Sequence, residues 1–227
     1  MPGRTRIKFC GLVRPEDVRT AVALGVDAVG FVFYPRSPRY LEPAAARDLR
    51  RLLPSWVSAV GLFVDAPPDF IQDRCRDVGL DLIQFHGNES PDDCRESLAG
   101  LAALTAGRSL PYWRAVRMRS AADLLTSVSR YESAEAFVVD AWSEGFGGSG
   151  ESFDWSLVPR IRDWSLILSG GLHSENVGRA IDQLAPVAVD VSTGIQGDTP
   201  RIKDRVAMEA FVAAVLAADS GAREDKT

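Results

Sequence analysis

The segment Ile7-Lys8-Phe9-Cys10-Gly11 is a short, mostly apolar run that ends at a glycine. Seven more runs of this kind follow, at residues 28–33, 58–64, 82–85, 113–116, 136–140, 166–169 and 187–191. Most of them are continuously apolar rather than alternating, which is typical of parallel strands that are buried on both faces. The pattern therefore predicts eight buried strands.

Amphipathic helical stretches separate many of these runs. They lie at residues 14–24, 42–53, 69–78, 174–184 and 203–218. Helix-boundary residues fit these limits: Pro54 and Gly79 follow the second and third stretches, and Ser174 is the predicted N-cap of the fourth. Successive strand ends are about 20–30 residues apart, the length of one βα unit. Eight such units predict an α/β fold, a single (β/α)8 TIM barrel over residues 1–218.

A doubly wound open sheet is the rival architecture. The uniform length of the units, and the absence of a GxGxxG pattern after the first strand, make it the weaker prediction. Residues 98–112 are rich in Ala, Gly and Leu, so that helix and loop are hard to separate there. The polar residues 219–227 are predicted to form a frayed C-terminal tail.

Composition excludes several classes of protein. The 227 residues carry a net charge of -5 and contain no basic run, which argues against a general nucleic-acid binder. No apolar stretch is long enough to predict a membrane span. Cys10, Cys75 and Cys94 are odd in number and widely spaced, which favours a reducing compartment over a disulfide framework. With only His86 and His173, no metal-ligand cluster is visible. No metal is therefore expected. The N-terminus lacks a signal-peptide pattern, so a cytoplasmic protein is expected.

In a barrel of this kind the active site lies at the carboxyl ends of the strands. After the seventh and eighth runs the chain places Gly170-Gly171 and Ser192-Thr193-Gly194. Glycine lets backbone N–H groups approach an anion closely, and phosphate sites in such barrels commonly form after these two strands. The loops therefore predict a phosphate site, the alternative being that the glycines only make tight turns.

Cys10 and Asp140 end the first and sixth runs, so a barrel would place a thiol and a carboxyl at one mouth. A partly desolvated carboxyl has a raised pKa, which suits a general acid, and a thiol in electropositive surroundings loses its proton. The alternatives are an inert, buried Cys10 and an Asp140 that only caps the next loop. Asp190 lies inside the last run and needs a partner. A catalytic role, an orienting role and pairing with a cation are all open, and a supporting role is favoured.

Two arginines and a histidine lie in other strand-end loops. Arg36 and Arg39 belong to a proline-stiffened segment, in which a guanidinium can bind a carboxylate bidentately, although surface arginines are usually solvated. His86 lies in a Phe-His-Gly turn, where a hydrogen-bonding role is favoured over that of a base. Asp65 fits loop or helix-cap chemistry.

Six motifs in order resemble the phosphoribosylanthranilate isomerase family of tryptophan biosynthesis. The resemblance runs from Ile7 to about Lys203. The motifs are Lys8-Phe9-Cys10-Gly11, residues 30–40 (GFVFYPRSPRY), Gln84-Phe85-His86-Gly87, residues 147–155 (GGSGESFDW), residues 168–177 (LSGGLHSENV) and residues 189–194 (VDVSTG). Departures are modest: Phe9 stands where an aliphatic residue is usual, Val13 where Thr is common and Thr193 where Ser is frequent.

The resemblance implies an Amadori rearrangement of N-(5-phosphoribosyl)anthranilate to an aminoketone. It implies Asp140 as the general acid that opens the furanose ring and Cys10 as the general base that removes the C2 proton. Arg39 would hold the anthranilate carboxylate. The remaining predicted substrate-binding residues are the phosphate loops Gly170, Gly171, Ser192, Thr193 and Gly194, together with His86 and Asp190. No cofactor is required. The loop 145–150 is expected to close over the substrate, with Trp142 and Phe146 near the aromatic ring.

Two alternatives remain open on the sequence. One is a histidine-pathway or bifunctional phosphoribosyl aminoaldose isomerase. The histidine-pathway family, however, has an aspartate at the end of the first strand, where this chain has Cys10. The other is a catalytically silent phosphate-binding barrel, against which the presence of both Cys10 and Asp140 argues. The expected partner is a small phosphorylated substrate rather than nucleic acid or membrane. A monomer is expected, with a homodimer as the alternative.

Overall fold

A computed structural model describes residues 4–104, 109–142 and 152–224 of the chain. Eight parallel strands form a closed barrel in sequence order. They are β1 (Arg6–Cys10), β2 (Ala28–Val32), β3 (Ser58–Phe63), β4 (Leu82–Phe85), β5 (Tyr112–Met118), β6 (Ala136–Ala141), β7 (Leu166–Leu168) and β8 (Ala188–Val191). The barrel closes where β1 pairs with β8, with Lys8 opposite Asp190. The predicted (β/α)8 barrel is confirmed, and the open sheet is excluded.

Seven helices of the described chain surround the barrel. They are α1 (Pro15–Ala23), α2 (Pro43–Arg50), α3 (Pro68–Val78), α4 (Pro91–Leu104), α5 (Ala121–Arg130), α6 (Val177–Leu184) and α7 (Arg205–Glu224). A proline opens each of the first four, a position at which its fixed φ suits the helix and its missing N–H costs no hydrogen bond. At the other end of α3, Gly79 adopts a left-handed conformation (φ 75°) and its N–H caps the helix. None of the described helices has the length and apolar character needed to cross a membrane.

Strand side chains form two separate apolar layers. Those that point outward pack against the helices in one large cluster; Phe9, for example, meets Phe211 of α7 edge-on at 6.1 Å. Those that point inward form small clusters, in which Trp113 packs beside Val60 and Val138. Most of the buried apolar residues belong to the helix-facing layer, and the interior clusters are small, so the interior also has room for polar side chains.

The start of α6 is among the helix boundaries that differ from the predictions. Helix α6 begins at Val177 with Asn176 before it, not at a Ser174 N-cap. The Asn176 side chain closes the preceding turn, because its Oδ1 accepts a hydrogen bond from the His173 N–H (2.9 Å) and its Nδ2 donates to the Gly171 carbonyl (2.9 Å). The turn thus occupies the residues that a Ser174 N-cap would have made helical.

The chain end differs as well. The sequence predicts a tail that frays from Asp219, whereas α7 continues through Glu224. Asp219 accepts hydrogen bonds from the Thr5 N–H (2.8 Å) and hydroxyl (2.7 Å), which ties this part of the helix to the start of β1. Residues 225–227 lie outside the described chain, as do residues 105–108 of the stretch that was hard to assign.

Candidate active site

Because side chains alternate between the two faces of a strand, a set of polar side chains points into the carboxyl end of the barrel. Lys8 and Cys10 are two residues apart on β1, and both lie on its inner face, as Asp140 does on β6 and Asp190 on β8. The Lys8 ammonium donates to Asp190 Oδ2 at 2.6 Å, and His86 Nε2 lies 3.6 Å from Asp140 Oδ2. The predicted acid and base therefore share one mouth with an ion pair and a histidine.

Asp140 is a carboxyl group in a strongly desolvating position. Burial, followed by repulsion from Asp190, raises its pKa from 3.8 to about 7. Its Oδ1 accepts a hydrogen bond from the Ala141 N–H at 2.8 Å, which fixes the orientation of the carboxyl and partly offsets the rise. Such a group still carries its proton near neutral pH, which is the state that a general acid requires.

His86 is held neutral beside this acid. Burial and the nearby Lys8 lower its pKa to about 3. The Gln84 amide nitrogen lies 3.1 Å from Nδ1 and can only donate, so Nδ1 is the acceptor and the ring proton is on Nε2. Nε2 has no hydrogen-bond partner among the described residues. The ring thus presents an N–H towards the mouth, as a donor rather than a base.

Cys10 is buried among charged groups from several elements. They are Lys8 of β1, Asp190 of β8, Lys203 before α7 and Arg39 after β2. The pKa of the thiol is raised on balance, because burial raises it by more than Lys8 lowers it. The mouth therefore contains cations that stabilise a thiolate, together with a desolvation cost that opposes it.

Arg39 reaches this mouth, whereas Arg36 is exposed to solvent. The Arg39 side chain passes over Gly11, where any Cβ would meet its Cδ, and Gly11 has a left-handed φ of 71°. One Nη donates to Gln196 Oε1 at 2.6 Å, while the buried Nε has no partner among the described residues. An N–H of this guanidinium is thus left for an anion.

The two glycine-containing loops lie back to back. Gly170 and Gly171 have φ values of 80° and 62°, and a Cβ on Gly194 would overlap the Leu172 carbonyl of the neighbouring loop. A Cβ on Gly170 would also stand 2.8 Å from Asp140 Oδ1. Gly170 and Gly171 require glycine because L side chains are strained at such angles, whereas Gly194 requires it because of the overlap with Leu172. Backbone of the predicted phosphate loops therefore lies beside the proposed acid.

Ser192 has a structural task in addition to its predicted place in the phosphate loop. Its hydroxyl donates to the Cys10 carbonyl (3.0 Å), and Lys203 Nζ donates to the Ser192 carbonyl (2.8 Å). Burial, and then repulsion from Arg39, lowers the pKa of Lys203 to about 8. Thr193 begins a single 3-10 turn, Thr193–Ile195, that follows β8.

Sequence reasoning does not identify several residues of the site. Lys8, Gln84 and Lys203 lie in or near quoted motifs but were given no role. A signal existed for the first two: each is a polar residue within a buried run, two positions before Cys10 or His86, and so on the same strand face. No sequence pattern marks Lys203, and only the fold places it beside Ser192 in the site. Asp65 binds the backbone N–H of Asn88 at 2.5 Å, which is loop chemistry.

The remaining predictions concern the loop after β6 and a metal. Residues 143–151, with Phe146 and the loop 145–150, lie outside the described chain, whereas Trp142 is 43% exposed. Within the described ranges, no three His, Cys, Asp or Glu side chains are grouped closely enough to hold a metal ion.

Comparisons with known proteins agree on one family. A family model described as N-(5'phosphoribosyl)anthranilate (PRA) isomerase matches residues 7–214. The N-(5'-phosphoribosyl)anthranilate isomerase of Leptothrix cholodnii is 48% identical over 219 residues, which are 96% of this chain and 94% of that relative.

Solved structures of the same family superpose on the barrel. The crystal structure of phosphoribosyl anthranilate isomerase from Thermotoga maritima gives a TM-score of 0.83 at 38% identity, covering 94% of this chain and 99% of that one. A crystal structure of phosphoribosyl anthranilate isomerase in complex with reduced 1-(o-carboxyphenylamino)-1-deoxyribulose 5-phosphate gives 0.78 at 36% identity, with coverage of 94% and 99%. Because the family model matches most of its length and a relative is 48% identical to it, this chain belongs to the N-(5'-phosphoribosyl)anthranilate isomerase family of enzymes.

Proposed function

We propose that this enzyme converts N-(5-phosphoribosyl)anthranilate to 1-(2-carboxyphenylamino)-1-deoxyribulose 5-phosphate, in tryptophan biosynthesis, with Asp140 as general acid and Cys10 as general base. The observation that carries the proposal is the buried Asp140, whose pKa is raised to about 7 at the same barrel mouth as a thiol surrounded by cations. Membership of the family supplies the substrate, and the site chemistry supports the two roles.

Asp140 acts first in this mechanism. Its proton goes to the furanose ring oxygen, the bond from C1 to that oxygen breaks, and the lone pair of the anthranilate nitrogen forms a C=N bond to C1. The product is an open-chain iminium ion with a free hydroxyl at C4. Asp140 is left as a carboxylate, with His86 Nε2 at 3.6 Å from its Oδ2. A neutral donor there stabilises the negative charge without itself giving up a proton.

Cys10 acts in the second step. Its thiolate removes the proton at C2, and the C2–H electron pair forms a C1=C2 double bond while the C=N electrons return to nitrogen. The resulting enolamine tautomerises to the ketone at C2. Because the iminium nitrogen accepts the electron pair, the reaction balances without an external oxidant or reductant.

Substrate binding is assigned to the groups around this pair. Backbone of the Gly170-Gly171 and Ser192-Thr193-Gly194 segments is proposed to hold the phosphate, because the glycines allow an anion to approach closely. Arg39 is proposed to bind the anthranilate carboxylate with its guanidinium, whose Nε is otherwise unpartnered among the described residues. Asp190 and His86 are proposed to lie next to the sugar.

Steady-state turnover tests the proposal. The loss of anthranilate-type fluorescence is followed for the unaltered enzyme, for Cys10→Ser and for Asp140→Asn, with Cys75→Ser as a matched control. Cys75 is also a buried thiol, but it lies in α3. Each catalytic variant is expected to lose about 10²–10⁴-fold in kcat, the usual contribution of a general acid or base.

Two results would contradict the assignment. Unchanged kcat in either catalytic variant would remove that residue from the mechanism. Absence of turnover in the unaltered enzyme, despite binding of a phosphosugar analogue, would favour a silent barrel. Assay of the histidine-pathway aminoaldose in parallel distinguishes the bifunctional alternative.

A further inference from the structure

We propose that Lys8 is a positioning residue for the base: its ammonium, held in place by Asp190, stabilises the thiolate form of Cys10 inside the barrel mouth. The proposal deepens the proposed function and rests on it for the role of Cys10. Nothing in the mechanism above requires a lysine at this point, and its burial therefore calls for a reason.

Lys8 is almost completely buried, with 1% of its side chain exposed. Transfer of an ammonium group out of water is costly unless the charge is paired and hydrogen-bonded. The pair with Asp190 Oδ2 at 2.6 Å meets part of that cost and raises the pKa of Lys8 on balance. The ammonium therefore stays charged, although burial alone would favour the neutral amine.

The sulfur of Cys10 lies near the same ammonium, and the positive charge of Lys8 favours the thiolate. The two side chains share a narrow space on the inner face of β1, since a Cβ on Gly30 would be 2.8 Å from Cys10 Sγ and 3.2 Å from Lys8 Cε. One cation thus binds a fixed carboxylate and lies beside the thiol. Asp190 Oδ1 has no hydrogen-bond partner within the described chain, so Lys8 is the cation to which this carboxylate is hydrogen-bonded there.

Four charged groups face Cys10, and their signs decide the effect. Lys8, Lys203 and Arg39 are cations, and Asp190 is the anion. Lys8 exerts the largest of the effects that lower the pKa of the thiol, ahead of Lys203 on the other side. Removal of its charge leaves Asp190 facing the sulfur, with the thiolate stabilised by Lys203 and Arg39 alone.

The test measures the ionisation of Cys10 directly. Cys75→Ala/Cys94→Ala serves as the parent, because Cys10 is then the one thiol of the chain. The ultraviolet absorbance of the thiolate is titrated against pH, and the same titration of the parent carrying Cys10→Ser is subtracted to remove the tyrosine signal. Lys8→Met is compared with Lys8→Arg, which keeps a positive charge.

Lys8→Met is expected to raise the pKa of Cys10 by about one unit or more, since an adjacent opposite charge typically shifts a pKa by ~1–3 units. Lys8→Arg should restore part of that shift. If Lys8→Met fails to fold by circular dichroism, Lys8→Met/Asp190→Asn removes both charges and leaves no lone buried carboxylate. A smaller rise is expected there, because the repulsion from Asp190 is lost as well.

A thiol pKa that does not rise in Lys8→Met, or in the double variant when that one is used, overturns the proposal. A merely structural lysine would leave the titration unchanged. Since the titration needs no substrate, it remains decisive even if the enzyme fails to turn over phosphoribosylanthranilate, so the two failures are distinguishable. If turnover is present, Lys8→Met should lower kcat with little change in KM, with the Cys10-dependent limb of the pH profile moved to higher pH.

Discussion

Asp140→Asn should inactivate the enzyme and yet stabilise its fold at alkaline pH. In an unfolded chain the carboxyl ionises around its ordinary pKa of 3.8, whereas in the folded protein it ionises at about 7. Between these values the unfolded chain has released a proton that the native state still holds. The free energy of unfolding contributed by this group therefore falls as the pH rises from about 4 to about 7, and it stays low above that.

The size of the effect follows from the pKa difference. About three units, at about 1.4 kcal/mol per unit, correspond to about 4 kcal/mol as an upper bound. The side chain is 12% exposed, so solvent screening reduces this figure little. Asparagine has nearly the same shape, and its Oδ1 can still accept the hydrogen bond from the Ala141 N–H. The variant therefore removes the charge while it preserves the packing.

Urea unfolding of both proteins at pH 5 and at pH 8 measures the effect. The stability of Asp140→Asn relative to the unaltered enzyme should increase by about 2–4 kcal/mol between the two pH values, and its turnover should fall by about 10²–10⁴-fold. An equal difference in stability at both pH values would refute the raised pKa. So would an asparagine variant that is less stable at pH 8, because no desolvated charge would then have been removed.

Three further predictions follow from the same site and its supports. The kcat/KM of the unaltered enzyme should stop rising with pH near pH 7, because the proton that Asp140 loses above that pH offsets the thiolate that Cys10 gains; a profile that keeps rising tenfold per pH unit from pH 7 to pH 9 would contradict this. Gly170→Ala should abolish most activity, since residue 170 has a φ of 80° and a Cβ there would stand 2.8 Å from Asp140 Oδ1. The control Gly178→Ala should leave turnover unchanged, because the nearest atom that its Cβ would meet is Ala218 Cβ at 3.9 Å. Arg114→Met should lower the free energy of unfolding by about 3–5 kcal/mol in chemical denaturation, because it leaves Glu89, bound at 2.7 Å, as an unpaired buried charge; a loss below about 1 kcal/mol would show that the pair contributes little.

The fold and the place of the site could be predicted from the chain because the information is local. Eight apolar runs at regular spacing specify strands buried on both faces, and a barrel places their carboxyl ends at one mouth. Cys10 and Asp140 could be singled out because each ends such a run. The end of α7 could not, because it depends on Asp219 meeting Thr5, 214 residues away along the chain.

What only the tertiary structure decided is the ionisation of the site. The sequence by itself determined that a thiol, a carboxyl, a histidine and two glycine-containing loops lie at the strand ends. It did not determine that Lys8 meets Asp190, 182 residues away, because that contact depends on the register with which β1 and β8 close the barrel. It indicated that the pKa of Asp140 is raised but not by how much, and it did not determine that His86 stays neutral. The physical reason is that residue type fixes only the reference pKa, whereas burial and the distances to other charges set the shift, and both exist only once the barrel has closed.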